Sequence, residues 1–133
     1  MKVMLDTNIC IYLIKQKPAA VLGRFEQYAL GEIGISSISV AELQFGVNNS
    51  QKQTQNQTAL DLFLAPLEIM DFDAEAAQAY GRIRTHLKQQ GTPIGAYDML
   101  IAAHAQSLNV TLVTNNLREF SRVPNLRLEN WAD

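Results

Sequence analysis

Three carboxylates in this chain stand in apolar surroundings, where an uncompensated charge is costly. They are Asp6, Glu42 and Asp98, whereas most of the thirteen Asp and Glu residues lie in polar stretches. Two carboxylates about 4 Å apart repel by roughly 4 kcal/mol at an effective dielectric constant of about 20. A divalent cation would relieve that repulsion. Because no His or Cys set accompanies these oxygens, the pattern favours Mg²⁺ or Mn²⁺ over Zn²⁺.

Other oxygen-bearing side chains could complete or support such a site. Glu119 could reach it as a further carboxylate, or Asn116 could offer a neutral oxygen, and both follow the apolar run that ends at Thr114. Thr7, Asn8 and Thr114 could hydrogen-bond to the metal carboxylates or merely shape turns. Carboxylate-bound Mg²⁺ activates water and neutralises charge on a phosphate, so the set indicates hydrolysis of a phosphodiester.

Each of these acids also has a structural explanation that needs no chemistry. Ser39-Val40-Ala41-Glu42 matches the S-x-x-E capping box, so Glu42 could be a helix cap. Asp98 near a helix N-terminus is favoured by the helix dipole alone. His104 is expected on a buried helix stripe and His86 on a solvated helix, so neither is predicted to be a catalyst.

The elements that must position these residues alternate between strands and helices. Strands are predicted at residues 3–6, 33–36, 67–72 and 110–114, with a last edge strand at 126–128. Helices are predicted at residues 9–15, 19–28, 39–46, 74–90 and 97–108, with another ending near 65 and a helical turn at 117–120. This order predicts an α/β domain with a mainly parallel sheet, whose strand ends gather the acids at one edge.

Composition fits one soluble domain that spans residues 1–133. The chain is 47% hydrophobic and 18% charged, which is typical of a globular protein. It shows no signal peptide or membrane-spanning run, so we expect a cytoplasmic protein without a membrane partner. Its one cysteine, Cys10, is expected to pack as a small hydrophobe. A net charge of −2 does not advertise a nucleic-acid binder, although two basic clusters occur: Arg82, Arg84 and Lys88, and Arg118, Arg122 and Arg127.

Several segments of the chain resemble the VapC toxins of the PIN-domain family. The matching segments are MLDTNI at residues 4–9, ISSISVAEL at 35–43, GTPIGAYDMLIA at 91–102 and LVTNNLREF at 112–120. The resemblance spans nearly the whole chain. Asp6, Glu42 and Asp98 match the three acidic positions of the family, so Glu42 could be both cap and site residue.

This resemblance implies a PIN-like three-layer α/β/α fold and a Mg²⁺-dependent endoribonuclease. It also implies the toxin of a bacterial type II toxin–antitoxin pair, a homodimer that is neutralised by a VapB-like antitoxin in a higher assembly. The branch that it resembles most cleaves initiator tRNA(fMet) in the anticodon stem-loop and so inhibits translation. Many relatives carry an Asp at or near position 116, where this chain has Asn116, and its acid stands at Glu119. A second metal ion is therefore an open question.

Two alternatives remain at the level of sequence. A haloacid-dehalogenase-like phosphatase also places an Asp at the end of its first strand, but its D-x-D motif would need an acid where Asn8 stands. A catalytically silent module could keep the fold and bind only a partner chain. The intact set of three acids argues against that second alternative.

Overall fold

The computed structural model describes residues 1–132, and its central feature is a five-stranded sheet with helices on both faces. The elements follow one another as strands and helices in the alternating order that the sequence predicts. They are β1 (Val3–Leu5), α1 (Thr7–Lys15), α2 (Ala19–Glu26), β2 (Ile33–Ser36), α3 (Ser37–Asn48), α4 (Gln53–Leu64), β3 (Glu68–Met70), α5 (Ala74–Gln90), α6 (Ala96–Ser107), β4 (Thr111–Val113), α7 (Leu117–Phe120) and β5 (Leu128–Glu129).

The strand order is β3-β2-β1-β4-β5, and every described pair is parallel. This confirms the predicted α/β architecture around a parallel sheet. Leu5 at the end of β1 lies beside Ile35 of β2 and Val113 of β4. The chain moves outward from β1 in one direction to β3 and in the other direction to β5. The carboxyl end of β1 is thus a topological switch point, where α/β proteins commonly place their functional crevice.

The sheet separates two apolar cores because alternate side chains of a strand point to opposite faces. In β1, Met4 packs into one core with α5 and α6, while Val3 and Leu5 pack into the other with α1 to α4. Cys10 is fully buried in the second core, as expected of a small packed hydrophobe. Trp131 is also fully buried there and stacks on Tyr28 with 5.4 Å between ring centroids.

The N-terminus of α3 differs from the sequence prediction. The helix begins at Ser37 rather than near Ser39, and the hydroxyl of Ser36 accepts a hydrogen bond from the Ile38 amide at 3.1 Å. The predicted capping box is therefore wrong, because β2 runs into α3 without a loop and Ser39 already lies inside the helix. Glu42 then lies in the second turn, too far along to cap the helix.

Helix α6 is buried more completely than one amphipathic stripe requires. Met99, Ala102, Ala103 and His104 are all buried, so burial extends beyond one face, whereas Tyr97 in the first turn is 57% exposed. The helix contacts α5, α3 and β4, and small alanines allow close packing on several sides. His104 is buried as predicted, with its Nδ1 2.7 Å from the hydroxyl of Ser36.

Local hydrogen bonds and backbone conformation set the ends of several other helices and strands. Asp73 caps α5 by accepting a hydrogen bond from the Ala76 amide at 3.0 Å, and Gly91 ends that helix in the left-handed conformation. The last strand lies at Leu128–Glu129, later than the predicted residues 126–128, because it pairs with Leu112 and Val113. No helix within residues 1–132 is long and apolar enough to span a membrane.

Candidate metal centre

Asp6 follows β1 at the switch point and is only 3% exposed. Its Oδ2 accepts a hydrogen bond of 2.7 Å from the hydroxyl of Thr114, which follows β4. Burial raises the pKa of Asp6, and the nearby charge of Glu42 adds to that rise. The Thr114 hydroxyl and the backbone amides of Thr7 and Asn8 lower the pKa in opposition. The cost of burying the Asp6 carboxylate is thus only partly compensated by its hydrogen bonds.

Glu42 is held over the same edge by a chain of hydroxyl groups. The Thr7 hydroxyl lies 2.7 Å from Glu42 Oε1 and 3.0 Å from the Ser39 hydroxyl. Because a carboxylate can only accept, Thr7 gives its one proton to Glu42, and Ser39 must donate to Thr7. Ser39 is completely buried, so this arrangement is shielded from competing water. The Glu42 carboxylate is therefore fixed by α1 and α3 together.

Asp98 lies in the first turn of α6 and Glu119 in α7, and the two carboxyl groups face one another. The pKa of Asp98 is raised to about 7, first by burial and then by the negative charge of Asp6, a hydrogen bond with Glu119 and the charges of Glu119 and Glu42.

The turn before α7 joins Glu119 to the Asp6 side of the cluster. The Asn116 amide donates to the Thr114 hydroxyl at 2.9 Å, and Asn116 Nδ2 donates to Glu119 Oε2 at 3.3 Å. The side-chain nitrogen of Asn116 thus holds Glu119 by a hydrogen bond. Glu119 is the fourth carboxylate near the site. Asn8 is the exception among the predicted residues, since its side chain is exposed and forms no hydrogen bond within residues 1–132.

The four carboxylates fit a hard divalent cation in their chemistry. All donors are oxygens, and they influence one another electrostatically. Among the described residues, no three Asp, Glu, His or Cys side chains are close enough together to form a finished metal site. Side-chain movement would therefore be needed to close the four carboxylates around an ion.

Ser39 is the residue of this network that sequence reasoning did not assign to the site. It was considered only as half of a capping box with Glu42. The signal was nevertheless in the spacing, because residues i and i+3 of a helix lie on the same face. A hydroxyl three residues before a buried acid is in position to support that acid from within one helix.

Comparisons with known proteins place this geometry in a family. The family model described as PIN domain matches residues 3–126. The chain is 54% identical over 129 residues to Ribonuclease VapC2 of Rickettsia felis, with 96% of each chain covered. It is 46% identical over 132 residues to the tRNA(fMet)-specific endonuclease VapC of Shigella flexneri, with 99% of each covered. The chain belongs to the PIN-domain family and, within it, to the VapC ribonucleases.

A solved structure supports the same assignment of this PIN-domain chain. The crystal structure of VapBC2 from Rickettsia felis, bound to a DNA fragment from the promoter of that pair, contains a chain that superimposes with a TM-score of 0.92. The identity is 52%, and 98% of this chain and 99% of that chain are covered. Membership of the PIN-domain family also rules out the haloacid-dehalogenase-like phosphatase as an alternative, in agreement with the amide at Asn8.

Proposed function

We propose that the chain is a Mg²⁺-dependent endoribonuclease and the toxin of a type II toxin–antitoxin pair. One observation carries the proposal: four carboxylates from separate elements converge on the switch point of a VapC-type PIN domain, where burial and the neighbouring negative charges raise the pKa of Asp98 to about 7. Such a cluster is costly to the fold and is useful when a cation compensates it.

Asp6 and Asp98 are the proposed direct ligands of Mg²⁺, for which Mn²⁺ is expected to substitute. Glu42 and Glu119 complete the set, and Thr7, Thr114 and Asn116 orient the carboxylates through the hydrogen bonds described above. When bound, a divalent ion supplies charge neutralisation for the scissile phosphate and a lower pKa for water.

Glu42 is the residue that we propose to orient and deprotonate the attacking water. Its Oε1 is engaged by Thr7, so the carboxylate is oriented and cannot rotate freely into solvent. We assign it the role of accepting a proton from water as the water oxygen attacks phosphorus. The bond from phosphorus to the 3′ oxygen breaks in line and the leaving oxygen takes up a proton from solvent, which leaves a 5′-phosphate and a 3′-hydroxyl end.

The substrate that we propose is initiator tRNA(fMet), cleaved in the anticodon stem-loop. The support is the full-length similarity to the Shigella flexneri enzyme, whose name specifies tRNA(fMet). A loop also presents unstacked bases, which proteins read more readily than the edges of a paired RNA helix. Cleavage at this position would stop initiation and inhibit translation.

The partner that we propose is a VapB-like antitoxin, and the toxin itself is proposed to be a cytoplasmic homodimer. The support is again similarity, since the Rickettsia felis chain was solved in a complex named VapBC2. Binding of the antitoxin would block the crevice and form a higher assembly. Co-purification of the toxin with the product of a neighbouring gene would test this part of the proposal separately.

The decisive experiment is cleavage of a purified tRNA pool, sequenced at the newly formed ends. Wild type is expected to make a single cut in initiator tRNA with Mg²⁺ and no cut in excess chelator. Asp6→Ala is expected to reduce the rate more than about 100-fold, because it removes a metal carboxylate and not merely its support. Asp61→Ala is the matched control, since Asp61 is an exposed carboxylate on α4.

Two outcomes would contradict the proposal. Equal cleavage in excess chelator would exclude a metal-dependent mechanism, and unchanged cleavage by Asp6→Ala would exclude the carboxylate cluster as the site. A folded wild type that cuts no RNA under any condition would instead favour the catalytically silent module.

A further inference from the structure

A cavity of about 310 Å³ opens between α5, the loop before α6 and the first turn of α6. We call it the basic cavity. Its lining residues are Arg84, Leu87, Lys88, Pro93 and Met99. Met99 directly follows Asp98 in the chain, and the position of Gly95 lies against the Asp98 carboxylate. The cavity and the candidate metal centre therefore both use side chains from the first turn of α6.

A third cation closes the basic cavity from the side of α7. The guanidinium of Arg122 donates to the Pro93 carbonyl at 3.0 Å, and the Arg122 amide donates to the Glu119 carbonyl at 3.1 Å. Arg122 thus links the cavity edge to the turn that carries Glu119. The fold brings together members of two basic clusters that are far apart in the sequence.

Arg84, Lys88 and Arg122 form no ion pair with another side chain among the described residues. Within residues 1–132, the ion pairs join Lys2 to Glu32 and Arg24 to Glu129. Arg84 donates to the Tyr80 hydroxyl at 3.0 Å and lies over the Tyr80 ring, which leaves most of its donors free. The side chain of Lys88 is exposed and forms no hydrogen bond within residues 1–132. Their charge is available to a ligand.

We propose that the basic cavity binds the sugar-phosphate backbone of the RNA strand next to the scissile bond. The charge balance supports RNA, because an acidic cluster in a chain of net charge −2 repels phosphates unless cations stand close to the path of the strand. Arg84, Lys88 and Arg122 supply those cations. This inference rests on the proposed function, which supplies the class of substrate.

The test compares two double variants that remove the same amount of charge. Arg84→Gln/Lys88→Gln removes two cations from the basic cavity. Arg82→Gln/Lys52→Gln removes two exposed cations elsewhere, one of them on the same helix. A fluorescently labelled RNA stem-loop is the probe, and its binding is measured by anisotropy in excess chelator at increasing salt, so that no cleavage occurs.

The cavity variant is expected to bind this RNA about tenfold more weakly than wild type at low salt. The slope of log affinity against log salt should fall by about 1.4, since each phosphate contact to single-stranded nucleic acid contributes about 0.7. The control variant should keep the slope of wild type. Arg84→Lys/Lys88→Arg should restore binding, because it keeps both charges at the same positions.

Equal weakening in both double variants would overturn the proposal, because general charge would then explain binding. An unchanged RNA affinity in the cavity variant would also overturn it, and a simultaneous change in sedimentation would assign the surface to a second copy of this chain. If wild type binds RNA but does not cleave tRNA, the proposed function is wrong. Weaker RNA binding by the cavity variant alone would then still support the basic cavity as an RNA-binding site. If wild type cleaves tRNA while the two variants behave alike, only the cavity fails, and a wild type that binds no RNA contradicts both.

Discussion

Glu42 shows how a single side chain can be fixed by neighbours that carry no charge. Its carboxylate receives the Thr7 hydroxyl at 2.7 Å, and the Thr7 hydroxyl in turn lies 3.0 Å from that of Ser39. Each hydroxyl has one proton, so the direction of donation is fixed from Ser39 through Thr7 to Glu42. The orientation of the acid thus depends on two residues that never need to touch a substrate.

Thr7→Val is expected to slow tRNA cleavage by about tenfold, because valine keeps the shape of threonine but cannot hold Glu42. The concentration of Mg²⁺ needed for half-maximal rate should rise, which a general loss of stability would not cause. Thr7→Ser should restore both quantities. Thr58→Val on the exposed face of α4 is the matched control. If Thr7→Val cleaves RNA like wild type, the hydroxyl chain has no positioning role.

At the scale of elements, the junction between β2 and α3 organises one side of the site. Ser36 ends the strand, caps the helix through the Ile38 amide and lies 2.7 Å from the buried Nδ1 of His104. Burial lowers the pKa of His104, so the ring is suited to a neutral structural role. The same serine therefore ties α3 to α6, the helices that carry Glu42 and Asp98.

Ser36→Ala is expected to lower the free energy of unfolding by about 2 kcal/mol, since it removes a cap and leaves a buried ring nitrogen without its partner. Ser39→Ala should cost less, about 1 kcal/mol, because alanine favours the interior of a helix. Cleavage should change in the opposite order, since Ser39 supports Thr7 and Glu42. Urea denaturation and the tRNA assay measure both effects. A larger loss of stability in Ser39→Ala would restore the capping-box interpretation.

Element types and sheet class were predictable from the sequence, because alternating apolar segments and the residues that interrupt them are local properties. The exact ends of the helices and strands were harder to predict from the sequence. The helix α3 starts before its apparent capping box, and α6 is buried on several sides, because tertiary neighbours decide both features. The acids at positions 6, 42 and 98 were identifiable from their apolar context and motifs. The contacts of Glu119, Ser39 and Arg122 required the fold, since nothing local shows which distant groups they meet.

For the molecule as a whole, the carboxylate cluster sets a dependence of stability on pH. The folded state holds the pKa of Asp98 at about 7, above the ordinary value of a carboxyl group near 4. Between these two pH values the folded state binds more protons than the unfolded state, so stability falls as the pH rises. Burial also raises the pKa of Asp6, which acts in the same direction.

Without metal, the protein is expected to lose stability as the pH rises from about 4 to about 7. The contribution of Asp98 should be about 1 kcal/mol, because solvent screens this partly exposed group. Asp98→Asn should remove that part of the dependence, and Mg²⁺ at pH 8 should raise the melting temperature of wild type by binding the folded state. Thermal unfolding in chelator and in Mg²⁺ measures both effects, with Asp61→Asn as the exposed control. A flat profile for wild type would argue against repulsion in the cluster.

The central strand β1 is made first, yet its two neighbours in the sheet are completed at very different times during synthesis. The hydrogen bond between Thr114 and Asp6 joins residues 108 positions apart, and Glu119 lies later still. A nascent chain on the ribosome therefore carries Asp6 without the groups that complete its site until β4 and α7 have been made. For an enzyme proposed to disable translation, this order of synthesis delays the complete site until Glu119 has been added to the chain.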